Sequence, residues 1–420
     1  MVSKAVVQGL AIAVIFLVIG VALGRFAAPP TSSVQPQPSG AEVIKIGEIL
    51  TESGSLASQG PEFGQAATLA VNDMNQRLQA AGRNIQFELV VEDDQSTPSV
   101  SKTQYQALVA SGVQLIVGPS TSSAISLVYP LAAEDHVVVI SQTASSPSLD
   151  INKPYVYRMV GSDANQASAL TKMLKMAGYK NAVIAYRTDD WGTPTAQALQ
   201  SDLQAASIQS KMVGYPATGY VMSGIAGSVA NAVSAFGTNG TTVVLLSFED
   251  DGIALLSAAA SYPVLSQVQW FSGEGMVGSS AVTGQVASFV EKVNFEAVSP
   301  GFSTNSPVYH TFAQEANSTG NTAALVAQAP YSYDAVMVGM LAILIAGNNG
   351  TAINAVLPSV AASYDGVTGP CSFNQYNDRA FQNYFINTYN IVGGVPGWYV
   401  LGSYDSASDT ITMYASPQSS

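Results

Sequence analysis

The chain has 420 residues, of which 47% are hydrophobic and only 10% charged; soluble proteins typically carry about 25% charged residues. Against 15 basic residues stand 28 acidic ones, a net charge of −13 with no basic patch interleaved with aromatics, which excludes nucleic acid as an expected partner. Cys371 is the single cysteine, and His136 and His310 lie far apart. That excludes an intrachain disulfide and leaves no metal-ligand spacing, so no metal and no cofactor are expected.

At the amino end, Lys4 precedes an apolar span from Ala5 to Leu23; Arg25 follows, then a Ser/Pro/Gln stretch to Gly40. The span is long enough to cross a bilayer as a helix. It reads either as a signal peptide cleaved near Ala27-Ala28 or as an uncleaved anchor with a short stalk, and its length favours the anchor. No cysteine follows it, which excludes lipid attachment there. The low charge places the bulk of the chain on the outer face of the membrane. Three sequons, at Asn239, Asn317 and Asn349, are candidate N-glycosylation sites that point the same way.

From Val43 the pattern is α/β. Val43–Leu50 reads as a strand, followed by the loop Thr51-Glu52-Ser53-Gly54. From about Glu62, the apolar positions Phe63, Ala66, Ala67, Ala70, Met74 and Leu78 share one helix face that Gly82 stops. Ile85–Glu92 is a strand ending in Asp93-Asp94, and Pro98 suits a helix start. Leu115–Val117 and Val137–Ile140 are too short for helices and β-branched enough for buried parallel strands. Each ends in a cluster of small hydroxyl residues. The first cluster, Ser120 to Ser123, opens a helix. The free N–H groups and partial positive charge of a helix start suit a carboxylate or phosphate, although capping is the ordinary role of any single serine there.

Tyr155–Met159 is a further strand, and the alternation then begins again. A helix over Asp163–Ala177 precedes strands at Ala182–Tyr186, Ile208–Tyr215, Thr242–Ser247 and Val268–Ser272. One helix follows Asp189-Asp190-Trp191-Gly192 and another covers Ile253–Ser261. Helices at Pro307–Glu315 and Tyr331–Ala346 come next, then hairpin-like strands around Tyr384–Ile391 and Trp398–Ser403. Alternation of this kind builds parallel sheets with right-handed crossovers, and two runs of it imply two lobes.

Few motifs carry chemistry. There is no nucleophile elbow, phosphate-loop lysine or His-Glu-x-x-His. Gly273-Glu274-Gly275-Met276-Val277-Gly278 has dinucleotide-loop spacing, but an acid sits where pyrophosphate must approach. Asp93-Asp94 reads as turn chemistry and Glu249-Asp250-Asp251 as a solvated helix start. What recurs is a distribution: hydroxyls, single acids and aromatics just after strand ends, at Ser122, Ser145, Trp191, Phe248 and Glu274. In a two-lobed α/β protein these ends face a common cleft. Hydroxyls on one side and a carboxylate on the other fit a zwitterion, its carboxylate at the serines and its ammonium at Glu274.

Several stretches resemble one family. Leu50-Thr51-Glu52-Ser53-Gly54 with Ala57 and Gly60, Glu92-Asp93-Asp94, Ile116 to Ser120 and Ser141 to Pro147 are similar to the branched-chain amino-acid-binding (Leu/Ile/Val-type) proteins of ABC uptake systems. So are Tyr157-Arg158 with Ser162-Asp163 and Gln166, Asp190-Trp191-Gly192, Tyr333-Asp334-Ala335 and Tyr364 to Pro370 with Ser372-Phe373. The series runs in order from about Val43 to Ser403. It implies a type I periplasmic-binding-protein fold: α/β, two doubly wound parallel-sheet lobes joined by three hinge crossovers. It also implies residue roles. Ser122, Thr143 (mainly through its backbone) and Ser145 would hold the α-groups of an amino acid. Glu274 would contact its ammonium, and Trp191 and Phe248 would close on it. Gln59 departs from an aromatic common in the side-chain pocket and Gln142 from a small residue or proline. The family's frequent disulfide cannot form with one cysteine.

The resulting expectation is an extracytoplasmic solute-binding protein, not an enzyme, that binds a small amino acid by hinge closure and delivers it to an ABC permease/ATPase complex as a monomer. Residues 1–41 would form the signal or membrane anchor and stalk, 42–161 and 299–382 lobe 1, and 162–298 and 383–415 lobe 2. Crossovers are expected near Ser162, Val298 and Asn383. Ser122 and Ser145 are assigned to the ligand, leaving capping to Ser120 and Ser123. The alternatives are a ligand-sensing ectodomain and a binder of an amide or urea-type solute.

Overall fold

Short β-branched runs alternating with amphipathic helices build two large sheets in the computed structural model, which describes residues 40–419 apart from 280, 281, 283, 393 and 394. The apolar span at 5–23 and its expected anchor lie outside the described residues. The first sheet is laid down by β1 (Glu42–Leu50), α1 (Gly60–Ala80), β2 (Ile85–Asp93), α2 (Pro98–Ala110), β3 (Leu115–Val117), α3 (Ser122–Asp135), β4 (Val138–Ser141) and β5 (Val156–Arg158). Its order is β2-β1-β3-β4-β5 with all neighbours parallel. Every residue of β3 and β4 is buried, as a parallel sheet covered on both faces requires.

The chain then enters a second sheet through α4 (Ala164–Met176), β6 (Asn181–Thr188), α5 (Gly192–Ala205), β7 (Gln209–Pro216), α6 (Met222–Phe236), β8 (Thr241–Leu246), α7 (Glu249–Ala259), β9 (Trp270–Ser272), α8 (Ala287–Lys292) and β10 (Glu296–Gly301). It returns to the first through α9 (Pro307–Thr319), α10 (Ala329–Ala346), α11 (Gly350–Ala362) and the small hairpin β11 (Asp365–Gly366) with β12 (Gly369–Pro370). The tail runs back along the second sheet as β13 (Asn383–Val392), β14 (Val395–Asp405) and β15 (Thr410–Ser419), giving the order β15-β14-β13-β10-β9-β8-β6-β7. The segment joining the tail is antiparallel to β10. Because β10 belongs to the second sheet up to Gly301 and Phe302 packs in the first core, the chain returns three residues beyond Val298.

One face of the first sheet packs on α1, α10 and α11, in a core that includes Ile46, Phe63, Val338 and Leu357; the other packs on α2 and α3. α10 is long and apolar enough to cross a membrane, yet 83% of it is buried inside the protein, so it is the core helix of this lobe. Gly339 sets its depth: a Cβ there would meet Leu115 at 2.8 Å. The second sheet is likewise covered on both faces.

Several elements lie outside the sequence reading, among them α6, α8, α11, β10 and β15. α11 carries Pro358 within its span and β10 carries Pro300, residues that normally interrupt such elements. β15 reads Thr-Ile-Thr-Met-Tyr-Ala-Ser-Pro-Gln-Ser, too polar to signal a strand. The cap of α3 is also reassigned. Thr121, not Ser120 or Ser123, is its N-cap, and its Oγ1 accepts the Ala124 N–H at 3.3 Å.

A buried ion network pins the loop that follows β4. Arg158 donates to Asp378 at 2.5 and 2.6 Å, to Asp150 at 2.6 Å, and to the carbonyls of Ala144 and Ser146. Lys153 donates to the same Asp378 at 2.6 Å. Asp334 on α10 organises the hairpin in the same manner, accepting from the N–H groups of Val367 and Thr368 and from the Thr368 hydroxyl.

Candidate functional site

Parallel strands bring their following loops to one edge, and here the loops of both sheets meet around a cavity of about 810 Å³, the size of a typical small-molecule site. Ser122, Thr143 and Ser145 reach it from the first lobe; Trp191, Phe248 and Glu274 reach it from the second. The six residues singled out in the sequence therefore line one space, although the chain separates the first from the last by more than 150 positions.

On the first-lobe wall the donors are held by neighbouring backbone. Gly118, at φ +87°, lies where a Cβ would strike the Ile49 carbonyl at 2.3 Å, so only glycine lets the β3 loop turn there. Ser122 Oγ accepts the Ser146 N–H at 3.1 Å, which leaves its own proton for an acceptor in the cavity. The Thr143 hydroxyl is committed to the Ser120 carbonyl at 3.0 Å, so the hydroxyl itself is not offered to a ligand. Ser120 lines the cavity and is 6% exposed, and its buried Oγ has no hydrogen-bond partner among the described residues.

The second-lobe wall is acidic. Glu274 follows β9 in a tight turn, and its N–H donates to Gln166 Oε1 at 2.7 Å. Its carboxylate accepts from Gln328 at 3.0 Å and from Ser145 Oγ at 2.9 Å. The same Ser145 Oγ lies 2.8 Å from Asp163, a fully buried carboxylate that also accepts the Trp191 indole N–H at 2.6 Å. A hydroxyl has one proton and can serve one carboxylate at a time. The second contact is a hydrogen bond only when one of the two carboxyls is itself protonated. Burial, and then the charge of Asp163, hold Glu274 well above the usual carboxylate range. Burial pushes Asp163 up to about 6 against the hydrogen bonds that favour its ionised form. The pair thus shares a proton in the absence of a ligand, and Ser145 belongs to the acidic wall rather than to a set of anion donors.

Aromatics close one side. Trp191 stacks on Phe248, with centroids 5.0 Å apart and planes at 29°, and the Arg187 guanidinium sits 3.9 Å from the Phe248 centroid. Arg187 is neutralised by Asp189 and Asp251 at 2.6 and 2.8 Å. Asp251 also accepts the Tyr215 hydroxyl at 2.6 Å and is buried. The acidic run at 249–251 is therefore not the solvated helix start the sequence suggested: Asp251 anchors Arg187, and Glu249 lines the cavity. Asp93 and Asp94 do hold a turn, accepting the N–H groups of Glu52, Ser53, Gln95 and Ser96. Among the described residues no group of three or more His, Cys, Asp and Glu side chains could hold a metal ion. Asn239, Asn317 and Asn349 are all exposed.

Sequence reasoning missed Asp163, Gln328, Glu62 and Glu249 as members of this site. The sequence placed Asp163 only at the start of a helix and among the motifs of the resemblance, and the signal that could have singled it out is its position directly after the passage between lobes. Direct contacts also cross between the lobes: Ser146 Oγ donates to the Asp190 carbonyl at 2.6 Å and Ser58 to Glu249 at 3.3 Å.

Known proteins are similar to this chain. A family model described as "Receptor family ligand binding region" matches residues 63–390, most of the chain. An uncharacterized protein of Methanocaldococcus jannaschii is 25% identical over 391 residues, covering 88% of this chain and 91% of its own length. A Leu/Ile/Val-binding protein of Rhizobium johnstonii is 29% identical over 167 residues, covering 39% of this chain and 45% of its own. The crystal structure of a leucine-binding protein from Thermotoga maritima superposes with a TM-score of 0.73 at 19% identity, covering 84% of this chain and 97% of that one. The two sheets and their crossings thus form a type I periplasmic-binding-protein fold.

Proposed function

Because the chain belongs to the receptor family of ligand-binding regions, we propose that it is an extracytoplasmic solute-binding protein that takes up a small α-amino acid between its two lobes. The observation that carries this reading is the joint lining of one cavity by hydroxyls from the first lobe and Glu274 from the second, with Ser145 of the first lobe bridging Glu274 to the buried Asp163 behind it. A zwitterion supplies what each wall lacks: a carboxylate for the Ser120 and Ser122 hydroxyls, and an ammonium for two carboxylates that otherwise share a proton. Charge-assisted bonds of this kind contribute about 1.5–3 kcal/mol each.

In this reading residues 42–161 and 302–382 move as one body and 162–301 and 383–415 as the other, hinged at the crossovers, with Trp191 and Phe248 closing over the ligand. The bound amino acid is then handed to an ABC permease, and the segment at 1–41 holds the protein at the outer membrane face. The cleft serves binding rather than catalysis, and the protein works as a monomer. A sensing ectodomain is the second reading, favoured by the receptor description of the matching family.

A thermal-shift panel on the full-length chain tests the amino-acid reading. A ligand at 100 times its Kd stabilises by about 2.7 kcal/mol. α-Amino acids should raise the midpoint, and their α-hydroxy analogues, which lack the ammonium, should raise it far less. A sugar that shifts the midpoint when no α-amino acid does would remove this reading.

A further inference from the structure

The cavity carries more negative charge than one α-amino acid can answer. Three carboxylates line it, Glu62, Glu249 and Glu274, and Asp163 stands directly behind Ser145. None of the described lining residues is Lys, Arg or His. The nearby cation, Arg187, is already neutralised by two aspartates. An ammonium at the Asp163–Glu274 pair leaves Glu62 and Glu249 facing each other from opposite lobes. Glu62 lies in the first turn of α1 and Glu249 in the first turn of α7. Glu249 accepts the hydroxyls of Ser279 at 2.8 Å and Ser58 at 3.3 Å, which fixes its position without neutralising it. Burial and the neighbouring Glu249 charge push Glu62 up to about 7.

A second observation shows that this cavity is built for an occupant. Ser120 lines it, and its buried hydroxyl has no hydrogen-bond partner among the described residues; an unmet buried hydroxyl costs free energy unless a ligand answers it. We propose, resting on the amino-acid reading of the same site, that the ligand carries a second positive charge: an α-amino acid with a basic side chain, its distal cation held between Glu62 and Glu249. The carboxylate meets Ser120 and Ser122, the α-ammonium meets the Asp163–Glu274 pair, and the side-chain cation meets the two facing glutamates. Gln59, which also lines the cavity, suits a polar side chain better than a branched apolar one. A metal ion is a poor occupant, because two carboxylates fall short of a coordination shell.

Titration calorimetry with L-lysine, L-norleucine, L-leucine and cadaverine on the full-length chain tests this. Lysine and norleucine have the same carbon chain and differ by the terminal ammonium. Lysine should bind at least about tenfold tighter, the equivalent of one charge-assisted bond. Glu62→Gln and Glu249→Gln should each weaken lysine by about tenfold and leave norleucine within about threefold. Norleucine or leucine binding as tightly as lysine overturns the second charge and leaves the amino-acid reading standing. Cadaverine binding where no amino acid does overturns the amino-acid reading itself. Should a variant fail to fold, the wild-type comparison of lysine with norleucine decides alone.

Discussion

Two buried polar clusters flank the loop after β4, and they are built on opposite principles. Around Arg158, two cations meet two carboxylates, and backbone carbonyls accept the remaining N–H groups. Around Ser145, two carboxylates meet a hydroxyl, an indole and an amide, and among the described residues no cation bonds to them. The first cluster is complete as it stands and orders the loop. The second leaves charge uncompensated, which burdens the ligand-free protein and is relieved when a cation enters. Local rules are broken at functional sites and kept elsewhere, so the contrast separates what holds the fold from what serves the ligand.

The largest effect should come from breaking the complete cluster. Asp378→Ala leaves Arg158 and Lys153 buried without their shared partner, and uncompensated buried charge of this kind costs about 3–5 kcal/mol. Denaturant unfolding measures it. A loss below about 1 kcal/mol would erase the distinction between the clusters.

Removing charge from the incomplete cluster should act in the opposite direction. Glu274→Gln relieves the repulsion with Asp163, so the ligand-free protein should gain about 1 kcal/mol at neutral pH while affinity for an α-amino acid falls about tenfold to a hundredfold. The pH dependence follows from the same groups. An acid whose pKa is raised on folding holds a proton that the unfolded chain releases, so stability falls as pH rises between the two values. Asp163 is pushed up to about 6. Glu48 on β1, fully buried and without a hydrogen-bond partner among the described residues, is pushed up to about 8 by burial and then by the Glu52 charge. Ligand-free stability should therefore decline from about pH 4 to about pH 8, while amino-acid affinity rises with pH across that window, because the ligand displaces the proton that the pair holds. Glu48→Gln should flatten the decline without changing affinity, since Glu48 does not line the cavity. Unfolding midpoints and titrations at several pH values read both slopes, and a ligand-free stability that climbs with pH would contradict the sharing of a proton.

How far the sequence reaches divides along the same line. Strands such as Leu115–Val117 and the face of α1 are written in local apolar pattern, so their existence was legible. The six cavity residues were found because parallel topology places post-strand loops at one edge, together with a resemblance carried by short motifs. Asp163 escaped because its role depends on Ser145, which reaches it from the other lobe, and on Trp191, distant in the chain. Glu62 and Glu249 escaped because each looks like ordinary helix-start acid, and only the fold sets them face to face. α11 and β10 were obscured by internal prolines whose tertiary setting tolerates them.

The smallest effects test the contrast at single hydroxyls. Thr121 is satisfied: it caps α3. Ser120, which lines the cavity, is not: its buried Oγ has no partner among the described residues. Thr121 also lines the cavity, but its hydroxyl is tied to the cap, so Thr121→Ala should lower stability by about 1 kcal/mol, the usual value of a cap, and lower ligand affinity less than Ser120→Ala does. Ser120→Ala removes a hydroxyl that the ligand-free protein does not use, so stability should stay within about 0.5 kcal/mol. Ligand affinity should nevertheless fall about fivefold to tenfold, because the ligand carboxylate loses a donor. Unfolding midpoints and titrations on the two variants give four values. Equal loss of affinity in both would mean that the start of α3 as a whole, rather than the unpartnered serine beside it, receives the carboxylate.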